Sequence, residues 1–452
     1  MRCGCERTFT VAFRCAQHDL VRFLGIGETN DLGDMYLRLM RAGHDVRVHM
    51  ADPDSAGVME GMVSFVDDWR RELDWIRDAG DDGIVVFETA TMGDVQDDLR
   101  REGFNVVGGS ALGDRLESER DFGQQVLRDA GLNTARQRKC AGFDEAIEFV
   151  RSSPGRYVLK LDGSNWPSTA NYVGQMDDGA DMIALISAVR HNWTLDERPS
   201  CILMDYVEGV EVGTGAFFNG ETFLGPPNLD WEHKRFFPGD VGELTGEMGT
   251  VVTYRGGEKM FAATLARLAP VLRESGYCGY INLNTIVNEN GIWPLELTCR
   301  FGYPGFAILD SLHAEGWDTV LASLVRRDRT GIETRDGLSV GVVVTVPSFP
   351  YRDGYEELGK GMPISFRKSM TEADRDAIHH GEVTMRGNEL VTAGLIGYIM
   401  VVTGTGDDIE GARRAAYERV GKIVIPNMRY RNDIGARFSQ DAAVMRSLGW
   451  LA

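Results

Sequence analysis

Apolar and polar positions follow two different periods along this chain, and the changes of period mark its elements. VRFLGIG, from Val21, is a short apolar run ending in glycines and predicts a strand. DLGDMYLRLMRAG repeats apolar residues near i, i+3 and i+4 and closes at Gly43, which predicts a helix with a glycine stop. HDVRVHM predicts the next strand, residues 67–79 a second helix, GIVVFE a third strand, DVQDDLRREG a helix and FNVVGG a fourth strand. Strands alternating with helices predict a doubly wound parallel α/β sheet over residues 21–109. Ligands of such sheets meet the carboxyl ends of strands, which singles out residues 25–30 and 88–91.

From residue 110 to about 330 the pattern changes. Helices are predicted over 118–130 and 143–152, followed by the strand RYVLKLDG. SCILMDYVEGVEVGTGAFFNGETFL reads as antiparallel strands. DWEHKRFFPGDVGELTGEMGT carries four glycines and both charge signs, which predicts a mobile loop over a site. GEKMFAATLARLAPVLRESG predicts one helix. A third region over 336–438 holds the strand SVGVVVTVPSFPY, a GEVTMRGNELVTAG hairpin, the strand IGYIMVVTGTG and the amphipathic helix IEGARRAAYERVGKI, before an arginine-rich MRYRNDIGARF. Residues 1–20 are expected to be a leader without a fixed fold, and 439–452 a tail.

The stretch GYINLNTIVNENGIWPLELTCRFGYPG is the most chemical part of the chain. Strand INLNTIV, a turn at 288–291 and strand IWPLELT make a hairpin. Strand alternation delivers Glu296 and Thr298 to one face, with Arg300 just beyond. A carboxylate beside polar oxygens, then a guanidinium, suits a divalent cation holding a polyphosphate; a hairpin with solvated polar positions fits the same residues.

Composition narrows the classes. The formal net charge of −20 opposes binding to a nucleic-acid backbone. No apolar run is long enough to span a bilayer, and the first residues lack the apolar core of a secretion signal. Seven cysteines, an odd number, fit a reducing cytoplasm. Cys3, Cys5, Cys15 and His18 match no common zinc spacing. GIGETNDLG is only a partial dinucleotide loop, its third glycine misplaced.

In this order the pieces resemble the phosphoribosylamine–glycine ligase family of the ATP-grasp superfamily, over roughly residues 21–438. Four stretches carry the resemblance: GGSALGDRLESERDFGQQVLRDAGLNTA, EHKRFFPGDVGELTGEMG (the family's DHKR and GPNTGGMG), GYCGYINLNTIVNENGIWPLELTCRFGYP (its EFNCRFGDP), and VVTGTGDDIEGARRAAYERVGKIVIPNMRYRNDIG (its RKDIG ending). The resemblance implies an α/β and α+β multidomain architecture. An ATP-grasp domain over 110–330, with a small lid subdomain at about 133–205, follows the doubly wound domain and precedes a small α+β domain. It implies ATP and Mg2+ (or Mn2+), small-molecule carboxylate and amine substrates, a monomer or homodimer, and an acyl phosphate captured by an amine. It also assigns roles. Lys160 and Arg120 would meet ATP phosphate, with Arg120 standing where the family has a lysine. Asp205, Tyr206 and Val207 would form the adenine hinge, Glu211 would bind ribose, and His233 would belong to the nucleotide loop. Glu296, Thr298 and Asn284 would hold the metal, with Thr298 in place of an asparagine. Lys234, Arg235 and Arg300 would act on the reacting groups.

The departures fall on substrate groups. The family's GGREHA loop reads GETNDLGD here, so an acidic loop with Glu28 and Asn30 replaces an arginine and a histidine. Glu88 stands where the family has the glutamate of its GPEAPL segment. The phosphate loop DGLAAGKGV becomes DGSNWPSTANYVG, leaving Ser164, Ser168 and Thr169 as donors. FGDPE becomes FGYPG with Tyr303 and Gly305, and GGRVL becomes GLIGY. Sugar-phosphate recognition is thereby weakened while the ATP residues stay, unless Arg429 or Arg431 supplies the missing charge.

Overall fold

The computed structural model describes residues 20–161, 171–193 and 200–451. Positions 1–19, including Cys3, Cys5, Cys15 and His18, and the loop bearing Ser164, Ser168 and Thr169 lie outside the described residues.

The first unit is a parallel sheet of β1 (Arg22–Gly27), β2 (Asp45–Met50), β3 (Gly83–Phe87) and β4 (Asn105–Val107), in the order β2-β1-β3-β4. Every residue of β3 is buried, as a parallel strand covered on both faces requires. Helices α1 (Gly33–Arg41), α2 (Leu73–Arg77) and α3 (Gly93–Arg101) make the crossovers. The helix expected over 67–79 is shorter. Asp68 accepts from the Arg70 N–H and starts a tight 3-10 turn, Trp69–Glu72, before α2 begins.

Helices α4 (Ala111–Ser118) and α5 (Arg120–Asp129) lead into a small sheet with its own core. Its strands are β5 (Gln137–Cys140), β6 (Tyr157–Leu161), β7 (Tyr172–Val173) and β8 (Cys201–Asp205), in the order β5-β8-β6-β7. Helices α6 (Phe143–Ser152) and α7 (Ala180–Asn192) pack on it.

The remaining strands build one large sheet and three two-stranded ones. They include β9 (Val210–Asn219), β10 (Phe223–Glu232), the hairpin β11 (Arg235–Phe237) and β12 (Val241–Leu244), β13 (Gly249–Thr253), β14 (Cys278–Asn288), β15 (Gly291–Thr298) and β16 (Leu338–Thr345). Then come β17 (Ser365–Phe366), β18 (Ile378–His380), β19 (Val383–Arg386), β20 (Glu389–Thr392), β21 (Tyr398–Gly406) and β22 (Ile423–Val424). The eight-stranded antiparallel order is β15-β14-β9-β10-β13-β16-β21-β18. Pairing of β13 with β16 carries the sheet without a break from the second region into the third.

Two expectations are corrected. The segment read as a mobile loop, 230–250, is built structure. β10 extends to Glu232, and the β11–β12 hairpin turns through Gly239 and Asp240, both at positive φ. Arg431 and Arg437 hold Asp240, and the Gly239 N–H donates to Asp433. The single helix expected over 257–276 is broken into Glu258–Ala263, a 3-10 turn and Ala269–Glu274. Pro270 has no N–H to continue the ladder, and the Thr264 hydroxyl bonds back to the Met260 carbonyl.

Candidate active site

The site begins with two residues that have no side chains. β9 lies between β10 and β14, and Gly213 and Gly215 occupy its cleft face. A Cβ on Gly213 would collide with Asp230 Oδ1, and one on Gly215 with Tyr280 Oη. Side chains of β10 and β14 therefore meet across the central strand. Asn282 Nδ2 donates to Asp230 Oδ2 at 2.6 Å, and Tyr280 Oη donates to Asn228 Oδ1 at 3.0 Å. Further along, Asn284 Nδ2 donates to Glu211 Oε1 at 2.9 Å and to Glu232 Oε2 at 3.2 Å.

Lys234 closes this row. Its ammonium lies 3.0 Å from Glu211, 3.1 Å from Glu232 and 3.2 Å from Glu296. Lys160, on β6 of the small sheet, reaches across to the other oxygen of Glu296 at 3.2 Å. Glu296 is thus the point where the two sheets meet. A bulge places it there: the β14–β15 register jumps between Asn284 and Thr285, so Leu295 has no partner. The freed Leu295 carbonyl accepts from Arg120 at 3.3 Å and from Gln124 at 3.1 Å.

Charge compensation governs the protonation states. Burial works against a charged Lys234, but Glu211, Glu232 and Glu296 raise its pKa well above the usual lysine value. Lys234 and then Lys160 hold Glu296 well below the ordinary carboxylate range. Burial outweighs Lys234 at the neighbouring acids, Glu232 among them, and raises them. Burial and Glu232 push Asp230 up to about 7, and burial raises Glu247. Burial lowers Lys160, which Glu296 opposes.

The oxygen set suits a hard divalent cation. Glu296 and Glu232 offer carboxylates, and Asn284 Oδ1 is a buried oxygen with no hydrogen-bond partner. In this arrangement the carboxylates close on an ammonium. Among the described residues no three acidic, His or Cys side chains converge on a metal-sized point.

The other expected residues divide into three groups. The first lies on the cleft. Thr298 stands two residues from Glu296, opposite Asn282. Asp205, Tyr206 and Val207 link β8 to β9, with Asp205 paired to Arg136 at 3.0 Å and Tyr206 stacked under Arg156. Arg120 contacts Met204 beside this hinge, and its Nε is buried without a partner. Arg300 pairs with Glu117 at 3.0 Å, and Glu117 also accepts from the Cys299 N–H. Arg235 donates to the Gly242 carbonyl across the hairpin and lies within electrostatic reach of Tyr172 on the small sheet.

The second group, Glu28, Asn30 and Glu88, sits at the carboxyl ends of β1 and β3. The third is placed elsewhere. Strand alternation turns His233 to the opposite face from Glu232 and Lys234; its Nε2 accepts from the Gly435 N–H, and burial lowers its pKa to about 4. The expectation that His233 meets the nucleotide does not fit that position. Arg431 is 1% exposed and committed to Asp240, Asp433 and the Arg235 carbonyl, so it is not free to bind substrate. The reading of sequence also missed Asp230 and Glu232, because it took their strand for a loop.

A small sheet and a large sheet closing on a lysine–carboxylate row make this an ATP-grasp ligase. The phosphoribosylglycinamide synthetase ATP-grasp (A) domain model matches residues 118–306, and that synthetase's C domain model matches 339–437. The chain belongs to the phosphoribosylglycinamide synthetase family, as a diverged member. It is 28% identical over 388 residues to the phosphoribosylamine–glycine ligase of Corynebacterium ammoniagenes, covering 82% of this chain and 86% of that one. The corresponding ligase of Halalkalibacterium halodurans is 25% identical over 364 residues, covering 79% and 82%. The crystal structure of the Thermotoga maritima phosphoribosylamine–glycine ligase superposes with a TM-score of 0.70 at 21% identity, over 92% of this chain and 100% of that one. The biotin carboxylase domain of Hydrogenobacter thermophilus 2-oxoglutarate carboxylase, solved with MgADP and bicarbonate, superposes at 0.62 with 10% identity, over 91% and 92%.

Proposed function

We propose that this protein is an ATP-dependent carboxylate–amine ligase working through an acyl phosphate. The observation that carries the reading is the row Lys160–Glu296–Lys234–Glu211, shared by two sheets across one cleft. A carboxylate oxygen of the first substrate attacks the γ-phosphorus of ATP, the bond to the bridging oxygen breaks, and ADP leaves. The amine nitrogen then attacks the acyl carbon. The new C–N bond displaces phosphate with its electron pair, and the nitrogen gives up a proton.

Both steps bring anions together, so positioned cations are the chief requirement. Lys160 and Lys234 are held charged by Glu296 and serve the transferring phosphoryl group. Arg300, oriented by Glu117, serves the carboxylate being activated. Glu296 and Glu232, with the free oxygen of Asn284, would hold Mg2+, which supplies charge neutralisation at the phosphates. The hinge at Asp205, Tyr206 and Val207 seats the base. The small sheet covers the acyl phosphate and excludes water.

The relatives' names give glycine and phosphoribosylamine, a step of purine biosynthesis, as the first substrates to try. Such an enzyme would work in a reducing cytoplasm, which agrees with free, buried Cys140, Cys201, Cys278 and Cys299. No helix among the described residues is long and apolar enough to cross a membrane. The test is Mg2+-dependent ADP release with a panel of amino acids, with and without freshly made phosphoribosylamine. Release that needs an amino acid and an amine supports the ligase; no release under any pairing overturns it. A second reading, a ligase with another acceptor, is favoured by the acidic loop at Glu28 and Asp31.

A further inference from the structure

Cys140 closes β5 and Cys201 opens β8, and the two stand directly opposite each other in the antiparallel ladder. The Asp205 N–H donates to the Arg136 carbonyl, which continues the register by one step and marks a hydrogen-bonded pair. Pairs of that kind recur at every second position, so Cys140 and Cys201 form one as well. Their Cα atoms then lie about 5.5 Å apart, within the range of about 4.4–6.8 Å that a disulfide spans. Opposed side chains leave the same face of a sheet, and here both enter the core of the small sheet at 0% exposure. The two thiols hydrogen-bond to each other. The other described cysteines are placed differently. Cys278 is opposite Asn219, and its Sγ donates to the Leu324 carbonyl at 3.8 Å; Cys299 lies beyond β15 in a separate core. The ligase chemistry leaves the Cys140–Cys201 pair unused.

We propose that Cys140 and Cys201 are a redox modification site, a thiol pair that a peroxide converts to a cross-strand disulfide and a small thiol restores. Ala141, just after Cys140, is exposed, so parting the ends of β5 and β8 admits peroxide, a molecule little larger than water. Cys140 is the attacking sulfur. The hydrogen bond from Cys201 lowers its pKa, while the same contact raises that of Cys201. The Cys140 thiolate attacks one peroxide oxygen, the O–O bond breaks, and hydroxide leaves with the electron pair, giving a sulfenic acid. The Cys201 sulfur then attacks Cys140 Sγ; the S–S bond forms, the S–O bond breaks, and the Cys201 proton leaves with the oxygen as water. Two thiols are oxidised and one peroxide is reduced to two waters. The bond fastens β5 to β8 and closes a loop over residues 141–200, which holds β6 with Lys160. β8, which ends at the hinge residue Asp205, can then no longer part from β5 at its first residue. In a reducing compartment the pair rests as thiols and records a rise in peroxide.

The test treats the full chain with hydrogen peroxide, removes the excess, alkylates the remaining thiols in denaturant and maps the peptides by mass spectrometry. A peptide pair joining Cys140 to Cys201 is expected, lighter than the two thiol peptides by two hydrogens and separated again by dithiothreitol. In the folded, oxidised protein, amide hydrogen exchange of β5 and β8 is expected to slow by about tenfold, with β1 to β4 unchanged. Cys201→Ala is expected to leave Cys140 as a sulfenic acid that dimedone traps, and to lose the effect of peroxide on exchange. Linkage of either residue to a different cysteine, passage of Cys140 to sulfinic acid without linkage, or the same slowing of exchange in Cys201→Ala would overturn the proposal. If that variant does not fold, the peptide map and the exchange of the wild type still decide. None of these readouts depends on the ligase reading, so either can fail without the other.

Discussion

Replacing Lys234 by Met removes one ammonium from among three carboxylates at 3.0, 3.1 and 3.2 Å. Stripping one partner from a fully buried ion pair costs about 3–5 kcal/mol, while an exposed pair is worth about 0–1. The lysine is 24% exposed, and the glutamates 32, 23 and 42%, so screening brings the expected loss down between those limits. We expect a loss of about 2 kcal/mol near pH 8, or roughly 4–8 °C in the melting temperature of a domain of this size.

The sign of the pH dependence makes the test specific. In the wild type, the depressed Glu296 contributes stability above its unfolded pKa of about 4.3 and loses it in acid. The raised Lys234 contributes below about 10.4 and loses it in alkali. Between those limits these two groups add no pH dependence, and the wild type shows only the shallow fall with rising pH set by the raised Asp230 and Glu232. In the variant, the crowded carboxylates titrate above their unfolded values, so stability present at pH 5 is lost as pH rises toward 8. Thermal melts of both proteins across that range check this, and Mg2+ added without nucleotide should recover part of the loss in the variant only. A constant offset between the two curves, or equal Mg2+ effects, would refute the assignment of Lys234 as the counter-ion of the row.

Three further outcomes follow from the same geometry. Glu296→Ala should abolish ADP release with little change in melting temperature, because Lys234 keeps Glu211 and Glu232 as partners; a folded variant with normal turnover would remove Glu296 from the site. Lys160→Met should raise the ATP concentration needed for half-maximal rate by about tenfold, the loss of one charge-assisted phosphate contact worth about 1.5 kcal/mol; an unchanged requirement would place the phosphates elsewhere. Gly213→Ala should destabilise by about 1–3 kcal/mol through the clash with Asp230, seen in denaturant melts, and an unaffected midpoint would contradict the close meeting of β10 and β14.

What could be read from the chain depended on range. The β14–β15 hairpin was legible because alternation and an Asn-Gly turn are local signals, and they placed Glu296 and Thr298 on one face. The parallel sheet was legible for the same reason, since each apolar run abuts its own helix. Asp230, Glu232 and Lys234 were missed as a set although their i, i+2 spacing was a strand signal; the glycines that follow them suggested a loop. Pro270 gave notice of the broken helix and was passed over. The role of Arg431 was not legible locally, because it is fixed by Asp240, which is distant in sequence. The pairing of β13 with β16 is equally non-local, which is why the second and third regions read as separate.

The eight-stranded sheet has two ends, and the first unit grips both. At the β14–β15 end, the Gly108 N–H, just past β4, donates to the Cys278 carbonyl. At the β18 end, Asp34 of α1 takes both His379 and His380 while sharing Arg38. The frame is therefore a closed ring, braced like an arch by its own chord. A hinge cannot open such a ring at one point without breaking a clasp at another. The small sheet β5-β8-β6-β7 shares no strand pairing with it and touches the row through Lys160. Admission and release of a nucleotide are thus expected to fall to that one leaf, against a frame clasped at both ends.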